Sequence, residues 1–397
     1  MKKIAFLLPD FQEGGMPKVA SNIMSGLNSE SYSQFLILLD SESNIRYSHN
    51  SEILLVCPKG KSKIEKIKTF FKRINQVKKI KKNFNFDIVV SFGVAANIAN
   101  ILSKNNNELV ICTEHNIKSI ENKTWGFFGK VYDFLIKLLY SKSDRLVAIS
   151  KVMKEDFIEN YNIRKNIDII YNPHKINEII EYSDMPLSYE EELIFQNKIT
   201  LINVGRLTYA KGHCHLIRVL AELKKTIPNI QLLILGQGEM ESDLKELTLK
   251  LNLIDSVYFL GFQSNPYKFI KQSDVFVLSS MFEGFPNVLI ESLACETPII
   301  STDCKSGPRE IIDKEKNIYK NIKQYEIHDY GILTPNFNED VVLNNRELNK
   351  QEKQLELAIL KLIMDRQLYS HLKENCYSKA LEYDVQNMVE KYEKIFN

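Results

Sequence analysis

The chain lacks most of the sequence features that assign a protein to a specialised class. Its six cysteines are scattered along 397 residues with no Cys-x-x-Cys pair, which is typical of a reduced, cytoplasmic protein. No apolar run reaches the length of a membrane span, and the run after Met1 ends at Pro9, so a first strand fits it better than a signal peptide. A net charge of +2 excludes a general polyanion-binding surface.

Motifs for several common chemistries are also missing. There is no Asp-x-Asp pair to hold a metal-bridged diphosphate, and no Gly-x-Ser-x-Gly or Walker loop, which argues against hydrolase and kinase chemistry. His213-Cys214-His215 resembles a metal cluster, but adjacent residues of a helix do not face one point and no further ligands have zinc spacing. The sequence therefore predicts no metal and no resident cofactor.

What the chain does contain is typical of a globular α/β protein, with 44% hydrophobic and 26% charged residues and a length suited to two domains. Strand-like runs alternate with helical patterns, which predicts parallel sheets built from βαβ units. The predicted strands are Lys3–Leu8, Phe35–Leu39, Ile53–Cys57, Ile88–Ser91, Leu109–Thr113, Arg145–Ile149, Ile167–Ile170, Thr200–Asn203, Gln231–Leu235, Val257–Leu260, Asp274–Leu278 and Pro298–Ser301. The simplest architecture is two Rossmann-like domains facing each other across a cleft, with the polar stretch Glu178–Lys198 as linker and entry to the second domain, and helices from Lys350 onward.

The most informative stretch runs from Glu283 through Gly-Phe-Pro to Glu291. It follows a predicted strand and precedes an apolar helical run, so Glu283 is expected in a turn and Glu291 about two turns into the next helix. Pro286 suits the start of that helix, which leaves backbone N–H groups free for an anion. In an open α/β sheet, ligands bind at this corner.

Two other loops of the second half follow predicted strands. Arg206 and Lys211 lie between Gly205 and Gly212. Two fixed cations at the end of a strand suit a diphosphate, both when it binds and when it departs as a leaving group; the alternative interpretation is that they are ordinary surface cations in a loop. Gly236-Gln237-Gly238 lacks the third glycine of a dinucleotide fingerprint, so it is either a backbone turn lining a nucleotide site or a plain turn.

The first half has two loops of the same kind. Gly14-Gly15 stands at the first βα turn, where backbone N–H groups approach phosphate; an ordinary glycine turn is the alternative. His115, in Glu114-His115-Asn116, follows another predicted strand, and it is either structural or a residue that meets substrate.

One segment departs from the neutral average, since Lys59–Lys82 holds eleven Lys or Arg residues against one acid, Glu65. Its apolar residues recur at helical spacing, which predicts one apolar face: Ile64, Ile67, Phe71, Ile74 and Val77. A solvated basic face and a patch resting on anionic lipid headgroups both remain open. Nucleic acid is not expected, because stacking aromatics are not interleaved. The nearby cluster Trp125–Lys130 is either a core or loop element or an interfacial anchor.

These motifs together, in this order and spacing, resemble the retaining glycosyltransferases of family 4, which have the GT-B fold. The resemblance is strong from about Ile199 to Ile312, including Ser306-Gly307-Pro308-Arg309-Glu310, and looser through Gly14-Gly15 and Glu114-His115-Asn116. The stretch Ser301–Glu310 also resembles the corresponding part of bacterial enzymes that build lipid-linked surface glycans.

The resemblance implies a role for each matching position. Arg206 and Lys211 would hold the donor diphosphate and stabilise the departing nucleoside diphosphate. Glu283 would contact the donor sugar near the reacting carbon, Glu291 would bind the ribose hydroxyls, and His115 would lie beside the sugar's reacting face. The other donor-binding positions would be Gly14, Gly15, Gly236, Gly284, Phe285, Pro286, Asn287 and Val288. Attack on the same face of the sugar, assisted by the leaving phosphate, would retain the anomeric configuration.

The predicted function is accordingly a retaining, metal-independent hexosyltransferase. It would move a sugar from UDP-galactose or a UDP-N-acetylhexosamine to a lipid-linked oligosaccharide or surface polysaccharide, at the cytoplasmic face of the membrane. Residues 1–180 would bind the acceptor, 195–378 the nucleotide sugar, and 379–397 would form a helix crossing back to the first domain; closure would exclude water. A catalytically silent subunit that binds a partner glycosyltransferase, and a nucleotide-sugar epimerase, are the alternatives.

Overall fold

The computed structural model describes residues 1–396 except positions 13, 43, 48, 50, 59, 61, 165, 316, 319, 338–342, 345 and 346. The chain divides into two compact units, Met1–His174 together with Asp384–Asn397, and Lys175–Tyr383. Each unit contains one seven-stranded sheet with helices on its faces. Lys59, where the predicted basic segment begins, lies outside the described residues.

The sheet of the first unit is parallel throughout. Its strands are β1 (Lys2–Leu8), β2 (Tyr32–Leu38), β3 (Glu52–Leu55), β4 (Ile88–Phe92), β5 (Leu109–Glu114), β6 (Arg145–Ala148) and β7 (Ile167–Ile169). They lie in the order β3-β2-β1-β4-β5-β6-β7. Alternate residues of β1 enter two different cores, with Ile4 and Phe6 on one face and Ala5 and Leu7 on the other. The sheet is therefore covered on both faces, as parallel sheets generally are.

Six helices connect these strands: α1 (Gly15–Gly26), α2 (Lys63–Phe84), α3 (Val94–Leu102), α4 (Lys118–Thr124), α5 (Gly126–Leu139) and α6 (Lys151–Tyr161). The basic segment forms α2, whose first turn is held by a capping box in which Ser62 and Glu65 each accept a hydrogen bond from the other's backbone N–H. Asn85 ends the helix in the left-handed conformation.

The second unit repeats the plan, with one antiparallel strand at an edge. Its helices are α7 (Ile176–Ser183), α8 (Tyr189–Phe195), α9 (His213–Thr226), α10 (Glu241–Lys250), α11 (Tyr267–Gln272), α12 (Asn287–Ala294), α13 (Pro308–Ile312), α14 (Lys350–Met364) and α15 (Arg366–Leu381). Its strands are β8 (Ile199–Val204), β9 (Ile230–Leu235), β10 (Val257–Gly261), β11 (Val275–Leu278), β12 (Ile299–Thr302), β13 (Glu326–His328) and β14 (Gly331–Thr334). The strand order is β10-β9-β8-β11-β12-β14-β13.

The last helix, α16 (Val385–Phe396), belongs to the first unit. It packs on α1, and its apolar face joins the core of that unit through Met388, Val389, Tyr392 and Phe396. Gly26 of α1 allows this approach, because a Cβ there would lie 2.7 Å from Val389 Cγ2. The predicted crossing of the final helix back to the first domain is thus confirmed.

All the predicted strands are confirmed, with ends that differ by a few residues, and two strands were missed. Strands β13 and β14 pair antiparallel at the sheet edge, and they are only three and four residues long. The predicted linker Glu178–Lys198 forms most of α7 and all of α8. Both helices belong to the second unit, where Glu191 of α8 pairs with Lys268 at 2.6 Å.

The predicted apolar face of α2 is partly wrong. Phe71, which was predicted to be buried, is 61% exposed, whereas Lys81, which was expected on the exposed basic face, is completely buried. The Lys81 ammonium is satisfied by Glu108 at 2.7 Å and by the side chain of Asn100 at 2.6 Å. Val77 is buried as predicted. In the part of the chain that the structure describes, no helix is long and apolar enough to cross a membrane.

Candidate functional site

The topology of the second sheet singles out one place for a ligand. The chain leaves β8 towards β9 on one side and leaves β11 towards β12 on the other. Between β8 and β11 the strand order therefore reverses, and the loops that follow these two strands diverge and leave a crevice at their carboxyl ends. The two loops are residues 205–212 and 279–286, which contain the predicted residues Arg206, Lys211 and Glu283.

An ion pair joins these loops. Lys211 lies in a short 3-10 turn after β8, and its Nζ is 2.6 Å from Glu283 Oε1. The same carboxylate oxygen accepts a hydrogen bond from Ser280 Oγ at 2.6 Å. The Lys211 side chain is 23% exposed and that of Glu283 is 10% exposed, so both are held in place yet can be reached from solvent. The pair thus presents a cation beside an oriented carboxylate, which suits an anionic ligand that also carries hydroxyls.

The backbone fixes the relative position of the two loops. Ala210 accepts a hydrogen bond from the Met281 N–H, and Ser279 Oγ donates to the Lys211 carbonyl, both at 2.8 Å. Gly212 has φ of 60°, and a Cβ there would lie 2.2 Å from the Ser279 carbonyl oxygen. Only glycine tolerates both the left-handed conformation and this approach, so the Lys211–Glu283 geometry depends on it.

The Gly236-Gln237-Gly238 turn packs against the loop after β8. A Cβ on Gly236, which has φ of 138°, would lie 1.9 Å from the Gly205 carbonyl oxygen, and a Cβ on Gly238 would lie 2.4 Å from that of Leu207. Leu207 N–H in turn donates to the Gln237 carbonyl at 3.0 Å. Both glycines therefore have a packing role that supports the loop carrying Arg206. Contact of Gly236 with a ligand stays a prediction.

The turn from Gly284 to Pro286 is buttressed by the loop after β12. Gly307 has φ of 99°, and a Cβ there would lie 2.1 Å from Pro286 Cδ. Ser306 Oγ donates a hydrogen bond to the Gly284 carbonyl at 2.5 Å. Phe285 is buried with its ring 6.0 Å from that of Tyr383, so it anchors the turn. These contacts explain locally why the Ser306–Glu310 motif accompanies the glutamate motif in the sequence.

Glu291 lies nearer the start of its helix than predicted. Pro286 is the residue before the helix, and α12 begins at Asn287, so Glu291 is about one turn in rather than two. Asn287 and Val288 form the first helical turn. The carboxylate of Glu291 is partly exposed and accepts a hydrogen bond from Tyr267 Oη at 3.4 Å.

Arg206 differs from Lys211 in having no internal partner. It is exposed, and its guanidinium forms no hydrogen bond or ion pair with any residue that the structure describes. Two further residues of this region were not predicted from the sequence: Ser280, which binds Glu283, and Asp303, which pairs with Arg309. A serine at the end of an apolar strand and an aspartate after another one were signals that could have pointed to them.

Buried titratable groups surround the pair. Burial raises the pKa of the Cys304 thiol well above its usual range, and the nearby Glu283 carboxylate raises it further, so this thiol stays neutral. Burial lowers the pKa of His213 to about 3, with Lys211 adding to the effect. His215 lies 2.8 Å from Glu352, which also binds Arg218, and this network ties α9 to α14. Those histidines therefore have core positions, and among the described residues no cluster could hold a metal ion.

In the first unit, the predicted glycines lie at the start of α1. The helix begins at Gly15, so the predicted turn glycine is the first helical residue. Gly14 precedes it with φ of 147°, and its N–H donates to Tyr47 Oη at 3.3 Å. Gly15 is exposed at the helix N-terminus, after β1 and so beside the β1–β4 reversal of the first sheet.

His115 follows β5, directly after the buried Glu114. Its ring stacks on Phe92 at 5.6 Å, and its Nε2 lies 3.2 Å from Thr113 Oγ1. Burial lowers the pKa of His115 to about 3, and the Lys118 ammonium lowers it further, so the imidazole is neutral. Glu114 is fully buried and is bound by Tyr140 Oη, by Asn97 Nδ2 at 2.9 Å and by Lys118 Nζ at 2.8 Å.

Comparison with known proteins supports the resemblance over both units. Residues 14–177 match the family "Glycosyltransferase Family 4", and residues 184–329 match the family "Glycosyl transferases group 1". An uncharacterized glycosyltransferase of Methanocaldococcus jannaschii is 34% identical over 86% of each chain. An N-acetylgalactosaminyltransferase of Campylobacter jejuni, whose name gives a diphospho-undecaprenol-linked acceptor, is 31% identical over 81% of this chain and 90% of its own.

Solved structures agree at the level of the fold. The Anabaena protein HepE, solved in complex with UDP and glucose, superimposes with a TM-score of 0.75 over 99% of each chain at 17% identity.

Proposed function

Since the chain belongs to the glycosyltransferases of family 4 and has the GT-B fold, we propose that it is a retaining, metal-independent hexosyltransferase. It moves a sugar from a UDP-linked donor, UDP-galactose or a UDP-N-acetylhexosamine, to a lipid-linked oligosaccharide or a surface polysaccharide. The observation that carries this proposal is the Lys211–Glu283 pair at the strand reversal of the second sheet.

Lys211 and Glu283 bind different parts of the donor. Lys211 binds the diphosphate and stabilises the negative charge that grows on it as the glycosidic bond breaks. Glu283, held by Ser280, receives hydrogen bonds from the donor sugar. In the free protein the two side chains neutralise each other, so neither charge is left unpaired while the site waits for a donor. Arg206, whose guanidinium has no partner among the described residues, adds a second cation for the diphosphate.

The remaining donor contacts follow from positions around the pair. The backbone from Gly284 to Val288 reaches the start of α12; Pro286 has no N–H and the Asn287 N–H donates to the Phe285 carbonyl at 3.0 Å, so we assign the contacts with phosphate or sugar oxygens to Gly284 and Val288. Glu291, one turn into that helix, binds the ribose hydroxyls. Gly15 and His115 belong to the first unit, and their contact with the donor stays a prediction; the neutral His115 can accept or donate a hydrogen bond.

The chemistry that this arrangement favours needs no acid/base pair. Glu283 is engaged by Lys211 and Ser280, so it orients the sugar rather than attacking it. The departing phosphate takes the proton of the acceptor hydroxyl while that hydroxyl attacks the same face of the sugar, which retains the anomeric configuration. Lys211 and Arg206 supply the positive charge that a metal would otherwise provide, so we propose that no metal is required.

Donor and acceptor classes rest on relatives. HepE was solved with UDP and glucose, which supports a UDP-linked donor. The Campylobacter jejuni relative is named for a diphospho-undecaprenol acceptor, which supports a lipid-linked glycan acceptor and, with it, a reaction at a membrane surface. The exposed lysines of α2, Lys78, Lys79 and Lys82, provide positive charge for an anionic surface.

The test combines binding, transfer and stereochemistry. Purified protein is screened for thermal stabilisation by a panel of UDP-, GDP- and dTDP-sugars, since a ligand that binds the native state raises its stability. The stabilising donor is then supplied with undecaprenyl-diphosphate-linked sugars, with and without EDTA, and the product linkage is assigned by NMR. We expect UDP-sugars to stabilise, EDTA to have no effect, and the α-configured donor to yield an α-linked product. A product of inverted configuration, loss of activity in EDTA, or donor binding without any transfer would each contradict one stated part of the proposal.

A further inference from the structure

Helix α5 of the first unit carries an apolar ridge on its outer face. Phe127, Val131, Phe134 and Leu138 are spaced by four, three and four residues, which places them within roughly 60° of one another around the helix. Their exposed fractions are 77%, 39%, 65% and 49%. Large apolar side chains exposed in a continuous row are uncommon on a soluble surface and mark an interaction site.

The ridge is a built feature and not a loosely packed helix. The opposite side of α5 is buried through Gly129, Ile136 and Leu139. Gly129 lies so close to α4 that a Cβ there would be 1.7 Å from the Asn122 carbonyl oxygen. The Asn122 side chain also donates to Asp133 of α5 at 2.6 Å. Since α5 is locked to α4 in this way, the ridge cannot turn inward by a small rotation.

The charges beside the ridge have one sign. Four exposed lysines lie near it in the chain, on α4, on α5 and just beyond α5, and helical spacing puts the two of α5 along one flank of the ridge: Lys123, Lys130, Lys137 and Lys142. None of them forms an ion pair with a described residue. Between positions 123 and 142 the only acid is Asp133, which is half-buried and accepts hydrogen bonds from Asn122 and Tyr161.

Two aromatic residues extend the apolar surface at the start of the helix. Trp125 is 44% exposed and Phe128 is 48% exposed. An outer face of Phe, Trp, Val and Leu flanked by lysines is the composition of a helix that lies in the plane of a membrane, with its apolar side in the acyl region and its lysines at the headgroups. A protein partner would need an apolar groove shaped to the ridge and acidic groups around that groove. An anionic lipid surface provides both apolar chains and negative charge without any groove of matching shape.

We propose that α5 is the element through which this protein enters the surface of an anionic membrane, with the ridge Phe127-Val131-Phe134-Leu138 inserted among lipid chains and the four lysines at phosphate headgroups. This deepens the proposed function, because a lipid-linked acceptor has to be met at such a surface. In this proposal the main membrane-binding helix is α5, which inserts its apolar residues, and the basic face of α2 adds only positive charge.

The single tryptophan of the chain makes the test direct. Full-length protein is titrated with vesicles of 30% phosphatidylglycerol in phosphatidylcholine, and with pure phosphatidylcholine vesicles, while sedimentation and Trp125 emission are followed. We expect binding to the anionic vesicles with a blue shift of Trp125 emission, and weaker binding as salt rises. Phe127→Ser with Phe134→Ser should lower the partition coefficient at least about tenfold and remove the blue shift.

Matched variants separate the ridge from other surfaces. Leu249 and Ile254 of the second unit are 56% and 60% exposed, so Leu249→Ser with Ile254→Ser replaces two comparably exposed apolar residues elsewhere and should leave binding unchanged. Phe71→Ser tests the exposed aromatic of α2 and should have less than a threefold effect. Thermal unfolding of each variant confirms that it is folded.

Several outcomes would overturn the proposal. These are an absence of binding to anionic vesicles, binding that survives the double serine variant, and an equal loss in the Leu249/Ile254 control. A change of the protein from dimer to monomer in the ridge variant, without vesicle binding by the unchanged chain, would instead identify the ridge as a self-association surface. Sugar transfer to a short-chain, water-soluble acceptor is measured in parallel. If the unchanged chain does not transfer sugar to this acceptor, the proposed function is contradicted and the membrane proposal is not. If the ridge variant still transfers sugar, the ridge acts in membrane docking and not in catalysis.

Discussion

Replacement of Lys211 by alanine tests the central claim about the donor site. In the structure the Lys211 ammonium is 2.6 Å from Glu283, and the two side chains are 23% and 10% exposed. Lys211→Ala removes the cation and leaves the Glu283 carboxylate facing the place where a diphosphate would bind. The variant should therefore lose transition-state stabilisation and gain a repulsion between two negative charges.

The expected loss of rate can be bounded. Removal of one preorganised group that stabilises developing negative charge typically costs about 100-fold to 1000-fold in kcat, or about 2.7–4 kcal/mol. We expect kcat for sugar transfer to fall at least ~100-fold, with a smaller change in donor KM, because the charge on the leaving diphosphate is larger in the transition state than in the ground state. The cost in folding stability should be smaller, about 1–2 kcal/mol, since the pair remains partly accessible to water.

The second unit contains a matched control. Lys268 and Glu191 form a pair of the same length, 2.6 Å, with side chains 19% and 23% exposed, but they join α11 to α8 and not the two loops at the strand reversal. Lys268→Ala should lower stability by a similar amount and leave kcat within about twofold. Steady-state kinetics and urea unfolding of both variants give the comparison. If Lys211→Ala retains near-normal kcat, or if Lys268→Ala is equally inactive, Lys211 does not stabilise the leaving phosphate.

Three further predictions concern other residues. Glu291→Ala should weaken UDP binding measured by calorimetry at least about tenfold with little change in kcat, and an unchanged affinity would refute the ribose role. Gly212→Ala should lower the free energy of unfolding by about 2 kcal/mol more than Gly126→Ala. The two glycines have almost the same φ, 60° for Gly212 and 57° for Gly126, but only at Gly212 would a Cβ lie against a carbonyl oxygen, that of Ser279. Burial lowers the pKa of His213 to about 3, below its unfolded value, so its neutral form supports the fold above about pH 6.5 and that support is lost as the pH falls towards 3. His213→Leu should reduce the loss of stability between pH 7 and pH 4.5 by roughly 2–3 kcal/mol in urea titrations, and an unchanged pH dependence would contradict the burial argument.

Strand positions could be predicted because the signal is local. Buried parallel strands such as β4 and β9 are short apolar runs interrupted by one polar residue each, Ser91 and Gln231, and each is followed by a glycine. Strands β13 and β14 were missed because they are short and β13 is only partly buried, so they carry no such run. Helix α8 was missed for a related reason, since its acid-rich first turn resembles a linker unless the capping box of Ser188 and Glu191 is recognised.

The basic segment shows where a pattern reaches its limit. Spacing placed both Phe71 and Val77 on one apolar face, but only Val77 is buried. Lys81 is buried because Glu108 and Asn100, which are distant in sequence, provide partners for its charge. The spacing of apolar residues along one helix gives no information about such partners elsewhere in the chain. For the same reason the apolar ridge of α5 could be noticed in the sequence only as an aromatic cluster, because its exposure depends on which side of the helix Asn122 and α4 cover.

By itself the sequence determined that this is a two-part α/β protein of glycosyltransferase family 4 and that the loops after particular strands carry its cations and carboxylates. These features depend on residues close together in the chain, where turn and strand propensities act. Only the tertiary structure decided that Lys211 and Glu283, 72 positions apart, form one ion pair with Ser280 at the reversal between β8 and β11. Strand order sets that meeting, and strand order follows from how helices pack on both faces of a sheet, which no short stretch of sequence specifies.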